Sequence, residues 1–259
     1  MFNNKKIVCV IPARLQSQRF PRKMLASLAG RPLLAWVWEA ANKVDLFDEV
    51  IFAVDDDQIA EVIKSFGGKS VKTSVQCACG TDRLVELVNS GKISADVIVN
   101  WQGDEPFIVP EMVQNLLQSI SNNEEPMWTL KKKITHPDDI FSKKIAKVVC
   151  DKNGYGIYFS RSPIPCFRDE QNPEKLVASG LYYKHVGLYA YTPQALQKIA
   201  AMGKSDLEDA EKLEQLRFLD YGLRYRLHET DHEVFGIDTP EDLHRAEQVV
   251  AKMRSNISV

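Results

Sequence analysis

The stretch IVCVIPARLQSQRFPRKM, residues 7–24, joins an unbroken apolar run to a loop that is rich in cationic and amide side chains. The run from Ile7 to Ile11 predicts a core strand. The loop after it carries Arg14, Gln18, Arg19, Arg22 and Lys23. Guanidinium forks and a mobile ammonium suit the oxygens of a triphosphate, so this loop predicts an anion site, with a solvated surface loop as the alternative. Neither of the glycine-rich phosphate fingerprints, G-x-x-x-x-G-K-[ST] and G-x-G-x-x-G, occurs in the sequence.

Outward from this stretch, short apolar runs alternate with segments of helical period, which favours βα units around a mostly parallel sheet. Further strands are predicted at residues 49–54, 69–73 and 95–101, and helices at 32–41, 57–68, 81–91 and 110–120. Between about residues 127 and 191 the pattern becomes strand-rich, with strands at 126–133, 144–150, 156–161 and 185–191 and one helical turn at 136–141. Two helices follow, at 205–222 and 239–253, each with a capping residue. The predicted fold class is α/β with a mainly β insertion.

Composition limits the possible functions. The chain has 259 residues, 44% of them hydrophobic, and a net charge of -2 with 33 scattered basic residues. We therefore expect a folded protein that does not bind nucleic acid. No apolar run is long enough to cross a bilayer, so membrane insertion is not expected. The five cysteines do not suggest a disulfide framework, which favours a reduced, cytoplasmic protein.

Acidic residues follow the strand predicted at 95–101. In NWQGDEP, residues 100–106, Asp104 and Glu105 lie beyond its carboxyl end, where open α/β sheets bind ligands. A carboxylate there could hold Mg²⁺ close to substrate phosphates, whereas a plain turn is the alternative. Asp238 precedes the helix at 239–253 and is either a second metal ligand or part of a local turn. Sequence spacing does not choose between these readings.

The segment HETDH, residues 228–232, matches the H-E-x-x-H pattern of zinc proteases. That chemistry requires a helix that places both histidines on one face. The surrounding residues 225–237 instead predict a strand, a turn and a second strand, because Thr230 and Asp231 have poor helix propensity. We therefore reject a zinc protease.

Three further segments contain candidate site residues. GTDRL, residues 80–84, begins a helix whose free N–H groups could meet a carbonyl or phosphate, although Thr81 could be only a cap. YFSRSPIP, residues 158–165, offers Arg161 between two turns. KHVGLYAY, residues 184–191, places His185 and Tyr189 on one strand face, for which a half-buried strand with a hydrogen-bonded histidine is the default reading.

Taken in order, these segments resemble the 3-deoxy-manno-octulosonate cytidylyltransferase (CMP-Kdo synthetase) family over about residues 7–250. The motifs that carry the resemblance are IPAR…RFP-x-K (11–23), GTDR (80–83), VNWQGDEP (99–106), YFSRSPIP (158–165), HVGLYAY (185–191), LEQLR (213–217) and IDTPEDL (237–243). The resemblance implies transfer of CMP from CTP to Kdo with release of pyrophosphate, Mg²⁺ as cofactor, a role in lipopolysaccharide biosynthesis and a homodimer.

The resemblance also implies a three-layer nucleotide-diphosphosugar-transferase sandwich, Rossmann-like, with a β-rich dimerisation insertion. It would comprise a nucleotide-binding core at 1–125, the insertion and sugar-site lobe at 126–192, and returning helices and strands at 193–259. By the same resemblance, the triphosphate and cytidine would be bound by Arg14, Arg19, Lys23, Gly80, Thr81 and Arg83. The metal ligands would be Asp104 and Asp238, which act in catalysis with Lys23 and Arg14. The sugar acid would contact Gln102, Arg161, His185, Tyr189, Glu214 and Gln215.

The chain departs from the family pattern in the loop and at two other positions. Arg22 stands where the family usually has a glycine that permits positive φ, and Gln16 replaces a second glycine. Trp101 is bulkier than the usual small apolar residue, and Cys79 replaces a serine. Two alternatives follow from these departures: a cytidylyltransferase for a modified Kdo or another sugar acid, and a catalytically silent nucleotide-binding paralogue.

Overall fold

The structure, a computed structural model, describes residues 4–17, 19–121 and 126–257. Gln18, one of the predicted loop cations and amides, lies outside the described residues. By compactness the chain divides into two units, residues 1–110 with 233–259, and residues 111–232. The predicted segments 1–125, 126–192 and 193–259 describe a functional organisation and stay a prediction.

The strands, in chain order, are β1 (Ile7–Ala13), β2 (Ser27–Leu28), β3 (Arg31–Pro32), β4 (Glu49–Val54), β5 (Ser70–Lys72), β6 (Val97–Asn100), β7 (Met127–Lys133), β8 (Lys147–Cys150), β9 (Gly156–Ser160), β10 (Tyr183–Tyr191) and β11 (Arg226–Glu229). The helices are α1 (Leu33–Asn42), α2 (Asp57–Ser65), α3 (Gly80–Asn89), α4 (Pro110–Leu116), α5 (Pro137–Phe141), α6 (Pro173–Ala178), α7 (Pro193–Ala200), α8 (Asp206–Glu211), α9 (Gln215–Asp220) and α10 (Pro240–Ile257). A 3-10 turn spans Lys23–Leu25.

The first unit is built on a parallel sheet in the order β6, β1, β4, β5. Every residue of β1 is buried, as its unbroken apolar run predicts for a strand inside a parallel sheet. Returning from the second unit, the chain adds α10, whose Ala246 and Val250 pack against Leu28, Leu33 and Ile237 in one apolar cluster. This packing fixes the segment just before α10 against the first unit.

The second unit contains the strands of the predicted β-rich region. β10 pairs antiparallel with both β7 and β8, β8 pairs with β9, and β11 joins β7 in parallel. A register shift between Val186 and Tyr189 interrupts the ladder of β10 with β7. Among the described residues, no helix is both long and apolar enough to span a bilayer.

Two sequence expectations for the second half of the chain are wrong. The helix predicted over 205–222 is two short helices, α8 and α9, because Lys212 adopts a left-handed φ of 52° that ends α8. Residues 225–237, all of which the structure describes, form β11 but no second strand. His228 therefore lies on a strand, where its Nε2 is 2.8 Å from the Ser119 hydroxyl, and the helix that a zinc protease needs is missing.

Candidate active site

A cavity of about 900 Å³ lies in the first unit, at the carboxyl ends of its strands. Its lining includes eight of the predicted site residues, Arg14, Arg19, Lys23, Gly80, Arg83, Gln102, Asp104 and Asp238. Thr81 is buried in the first turn of α3, next to Gly80 of the lining. The loop after β1, the start of α3, the turn after β6 and the segment before α10 therefore meet at one place.

The turn after β6 is held tightly against β1. The Trp101 amide donates to the Val10 carbonyl at 3.1 Å, and the Trp101 indole donates to the Glu105 carbonyl at 3.0 Å. A Cβ at Gly103 would lie 2.8 Å from the Pro12 carbonyl oxygen, so only glycine allows this approach. Trp101 is fully buried, and its bulk therefore braces the turn without entering the cavity.

Lys23 joins the two acidic segments of the cavity. Its Nζ lies 2.5 Å from Oδ2 of Asp104 and 2.9 Å from Oδ1 of Asp238. The amide of Ile237 donates to the carbonyl of Asp104 at 2.9 Å, which brings the two aspartates together. Arg19 reaches Oδ2 of Asp238 at 2.9 Å. The structure thus places the predicted metal carboxylates side by side, with a cation of the chain between them.

The pKa values of Lys23 and Asp238 are set mainly by their charged neighbours. Burial lowers the pKa of Lys23, but Asp104 and Asp238 outweigh burial and leave that pKa raised. Burial raises the pKa of Asp238, but Lys23 and Arg19 outweigh it, and the pKa of this carboxyl is lowered. Lys23 is therefore an ammonium and Asp238 a carboxylate at neutral pH.

Glu105, the next residue, behaves differently. Burial, with smaller effects of the Asp104 and Asp238 charges, raises its pKa to about 8. Its Oε2 is buried and has no hydrogen-bond partner within the described part of the chain. Glu105 is therefore a neutral acid at pH 7, and the cavity holds fewer negative charges than its three carboxyl groups suggest.

Because Glu105 is protonated in the folded protein, the free energy of unfolding should depend on pH. Because the folded pKa of about 8 exceeds the ordinary 4.5, the unfolded chain releases this proton first, and stability falls as pH rises from 4.5 to 8. Glu105→Gln mimics the protonated acid. We expect it to match the parent protein near pH 5 and to exceed it by about 1–3 kcal/mol above pH 8. Denaturant unfolding at several pH values measures this, and the exposed Glu61→Gln is the control. A pH-independent difference between Glu105→Gln and the parent would contradict it.

Arg83 holds the start of the anion loop through a residue that sequence reasoning missed. The Arg83 side chain is almost fully buried and donates to Oδ2 of Asp55 at 2.8 Å and to the Thr73 hydroxyl at 2.7 Å. Oδ1 of Asp55 accepts from the Leu15 amide at 2.9 Å. Asp55 directly follows β4, and its place at the carboxyl end of a parallel strand is the signal that could have found it.

At the start of α3, Cys79 occupies the N-cap position. Its amide donates to Oδ2 of Asp82 at 3.3 Å, and the Ala78 amide donates to the same oxygen at 3.0 Å. Asp82 thus satisfies two donors that the helix itself leaves unpaired. Cys79 and Gly80 both line the cavity. The thiol in place of serine therefore leaves the helix start intact.

The two glycine replacements in the anion loop have different positions. Arg22 adopts φ 57° and ψ 27°, the left-handed conformation that favours glycine. Its guanidinium bonds to Oε1 of Gln58 on α2, and Arg22 is not part of the cavity lining. Gln16, in contrast, lines the cavity. Arg22 therefore anchors the outside of the loop.

Arg22→Gly should change ligand binding in the cavity little. Glycine adopts the same φ without the steric cost, which is about 1 kcal/mol for arginine, but it loses the bond to Gln58 and makes the unfolded chain more flexible. We expect the Kd for a nucleoside triphosphate, the kind of anion that the loop cations predict, to stay within about threefold and the free energy of unfolding within about 1 kcal/mol of the parent. Calorimetric titration and denaturant unfolding measure these quantities. A Kd raised tenfold would show that Arg22 contributes to the site.

Five predicted sugar-side residues belong to the second unit, and two of them, His185 and Tyr189, lie on β10. The His185 Nε2 is 2.9 Å from the Thr129 hydroxyl, and its ring packs edge-on against Phe159 and beside Tyr189. Burial lowers the pKa of His185 to about 3, so its ring is neutral at pH 7. Tyr189 also stacks on Tyr191. His185 can therefore offer a hydrogen bond to a ligand, but no positive charge.

Arg161 is engaged by the backbone. Its guanidinium donates to the carbonyls of Glu211, Lys143 and Lys212 at 2.6, 2.9 and 3.2 Å. The Glu211 carboxylate in turn accepts from the Ser160 hydroxyl at 2.6 Å and the Arg161 amide at 2.8 Å. Arg161 thus caps the break between α8 and α9, and its contact with a sugar acid stays a prediction.

The remaining sugar-side residues adjoin that break. Glu214 lies 3.7 Å from Arg217, and Gln215 is buried at the start of α9. Gln102, the sixth predicted residue, lies in the first unit, where its amide donates to Asn100 Oδ1 at 3.2 Å. Their roles toward a sugar acid also stay predictions.

Comparison with known proteins agrees with the geometry. A family model described as cytidylyltransferase matches residues 8–225. The 3-deoxy-manno-octulosonate cytidylyltransferase of Geobacter sulfurreducens is 46% identical over 253 residues, which cover 96% of this chain and 99% of that protein. The protein of the same name from Thermodesulfovibrio yellowstonii is 42% identical, with 93% and 96% covered.

Two solved structures extend the comparison. A CMP:2-keto-3-deoxy-manno-octonic acid synthetase complexed with CTP has a TM-score of 0.88 at 38% identity, with 96% of this chain and 99% of that one covered. An inositol-1-phosphate CTP transferase from T. maritima has a TM-score of 0.64 at 15% identity, with 95% and 96% covered, and shares the fold alone. The predicted α/β nucleotidyltransferase fold with a mostly parallel sheet is confirmed.

Proposed function

The chain belongs to the 3-deoxy-manno-octulosonate cytidylyltransferase family, and from this membership we propose that it transfers CMP from CTP to Kdo and releases pyrophosphate. The observation that carries the proposal is the cavity of the first unit, where Lys23 lies between Asp104 and Asp238. Cationic residues for a triphosphate and carboxylates for a metal ion are there side by side. The product would serve lipopolysaccharide biosynthesis.

The cationic residues of the cavity would bind the triphosphate. Arg14 and Arg19 present guanidinium groups that can form paired hydrogen bonds to phosphate oxygens. Lys23 adds an ammonium on a flexible stem. As the bond between the α-phosphorus and pyrophosphate breaks, negative charge moves onto the leaving group, and these cations would stabilise it. Gly80, Thr81 and Arg83 are proposed to form the cytidine side.

Proteins of this family generally depend on a metal ion, and we propose Mg²⁺, held by Asp104 and Asp238. The residues fit such an ion, because an oxygen from each carboxylate already lies within 2.9 Å of one cationic atom, Lys23 Nζ. Mg²⁺ prefers carboxylate oxygens and substrate phosphates as ligands. When bound, it would supply charge neutralisation at the α-phosphate and lower the pKa of a coordinated hydroxyl. The two aspartates would fix where that charge is placed.

The proposed reaction requires little covalent chemistry from the protein itself. The anomeric hydroxyl of Kdo would attack the α-phosphorus, so that a new P–O bond forms as the bond to pyrophosphate breaks and the hydroxyl proton is released to solvent. We assign recognition of the sugar acid to Gln102, Arg161, His185, Tyr189, Glu214 and Gln215. Since His185 is neutral, it would act by hydrogen bonding, and among these six residues only Arg161 could supply a positive charge for the sugar carboxylate. For that, Arg161 would have to exchange some of its carbonyl partners for the ligand.

Pyrophosphate release from CTP, Kdo and Mg²⁺ by the purified protein tests the proposal. Release that requires all three components supports it, and release no faster than that of an Asp104→Asn Asp238→Asn variant would overturn it. A panel of sugar acids separates Kdo from the modified-acceptor alternative. The silent-paralogue alternative predicts CTP binding without release, and turnover restored by Arg22→Gly with Gln16→Gly.

Homodimer formation and a cytoplasmic location complete the proposal. The second unit exposes several large apolar side chains, among them Phe141, Ile157 and Leu181, with Ile157 at 60%. A second copy that covers them would remove apolar surface from water. Light scattering should give twice the chain mass of 29.4 kDa; a monomer at micromolar concentration would contradict the dimer.

A further inference from the structure

Lys23 occupies the point where Asp104 and Asp238 would hold a metal ion, and we propose that it is an internal cation that must leave before a divalent ion binds. Nucleotide binding and metal binding would then be coupled through this one side chain. The inference rests on the metal site proposed above. It concerns the nucleotide-free protein, for which the proposed reaction makes no statement.

The geometry leaves little room for a second cation. The ammonium of Lys23 is within hydrogen-bond distance of both carboxylates at once, 2.5 Å from Asp104 and 2.9 Å from Asp238. Its side chain is only 9% exposed, so it is enclosed at this point. Arg19, which binds the other oxygen of Asp238, is 69% exposed and lies on the rim.

A divalent ion and the ammonium exclude each other here. An ammonium carries only donors and cannot be a metal ligand. Both cations need the same oxygens, and two positive charges a few ångströms apart repel strongly in a partly enclosed site. Unbound carboxylates without Lys23 would also repel each other. Lys23 therefore stabilises the nucleotide-free site and weakens its affinity for the ion.

A bound triphosphate offers the ammonium of Lys23 alternative partners. The four-carbon stem of Lys23 is flexible. The loop that carries Lys23 also contributes Arg14 and Ser17 to the lining of the cavity. When phosphate oxygens arrive, the ammonium can exchange carboxylates for phosphates, and this frees Asp104 and Asp238 for the ion. Because coupling is reciprocal, the nucleotide raises affinity for the ion by the factor by which the ion raises affinity for the nucleotide. The site would load its ion with the nucleotide or after it.

The experiment measures Mn²⁺ binding to the chelator-stripped, nucleotide-free protein, from the loss of the electron paramagnetic resonance signal of free Mn²⁺. Lys23→Met keeps most of the length of the side chain and removes the charge. We expect Lys23→Met to bind Mn²⁺ roughly tenfold or more tightly than the parent. Arg19→Met, which removes an exposed cation from the same Asp238, is the matched control and should tighten binding less. Equal or weaker binding by Lys23→Met would overturn the proposal.

Two further variants locate the ion. Lys23→Met with Asp104→Asn, and Lys23→Met with Asp238→Asn, should each lose the gained affinity. If either double variant keeps it, the ion is bound elsewhere and the proposal is wrong. Circular dichroism shows whether each variant is folded, and Lys23→Arg, which keeps the charge, should stay as weak as the parent. Pyrophosphate release by the parent protein is assayed separately, so failure of the proposed reaction is distinguishable from failure of this inference.

Discussion

Asp104→Asn should lower kcat/KM for CMP transfer by about 10³-fold or more, the largest effect that we expect from one substitution in the cavity. The amide keeps the shape of the side chain but removes the charge that faces Lys23 and the proposed ion. Since charge neutralisation at the reacting phosphate is the main task that we propose for the site, its loss should appear in kcat. Steady-state rates of pyrophosphate release measure it.

The controls for this prediction are other amide substitutions. Asp45→Asn, at an exposed position, should leave the rate unchanged. Asp238→Asn should resemble Asp104→Asn, and the double variant should be little worse than either, because residues that act as a unit are not additive. An Asp104→Asn enzyme within tenfold of the parent would show that this carboxylate does not hold the catalytic ion.

Lys147→Met should destabilise the protein by about 3–5 kcal/mol, the largest effect that we expect on folding. Lys147 is completely buried on β8, and its Nζ donates to the carbonyls of Ser142, Ile145 and Arg161 at 2.8, 2.8 and 2.6 Å. Methionine fills the same volume but leaves three carbonyls without this donor. Denaturant unfolding measures the loss.

The matched control is Lys143→Met in the same segment, where the side chain is exposed and the effect should be within about 0.5 kcal/mol. A loss below 1 kcal/mol for Lys147→Met would mean that water or backbone rearrangement replaces the ammonium. Since Arg161 shares this carbonyl network, Lys147→Met should also raise the KM for the sugar acid if Arg161 contacts it.

The sequence predicted those elements whose formation depends on neighbouring residues. The apolar run of β1 and the capping of α10 by Thr239 depend on neighbouring residues, and both formed as expected. The helix predicted over 205–222 was wrong because the chain turns at the left-handed Lys212, where Arg161, some 50 residues earlier, binds the carbonyls of Glu211 and Lys212. Periodicity in a short segment carries no information about such a distant donor.

The candidate site, like the fold, could be predicted from the sequence only in part. The resemblance of motifs placed Lys23, Asp104 and Asp238 in one region, and the structure brings them into contact. It did not reveal that Lys23 lies between the carboxylates, since these pairs are 81 and 215 positions apart. The neutral state of Glu105 depends on its enclosure, which no motif records.

The chain forms part of the first unit, then the second unit, and then returns to the first, and this order affects folding during synthesis. Asp104 belongs to the first stretch of the first unit, whereas Asp238 arrives only after residues 111–232 have been made. A nascent chain can fold its parallel strands early, since domains fold from the N-terminus as they emerge. Until the final segment docks through Ile237, however, it holds one carboxylate of the pair and no α10. The carboxylate pair proposed to hold the metal ion is therefore incomplete until this returning segment has been made, and an N-terminal fragment that ends before Ile237 should be inactive.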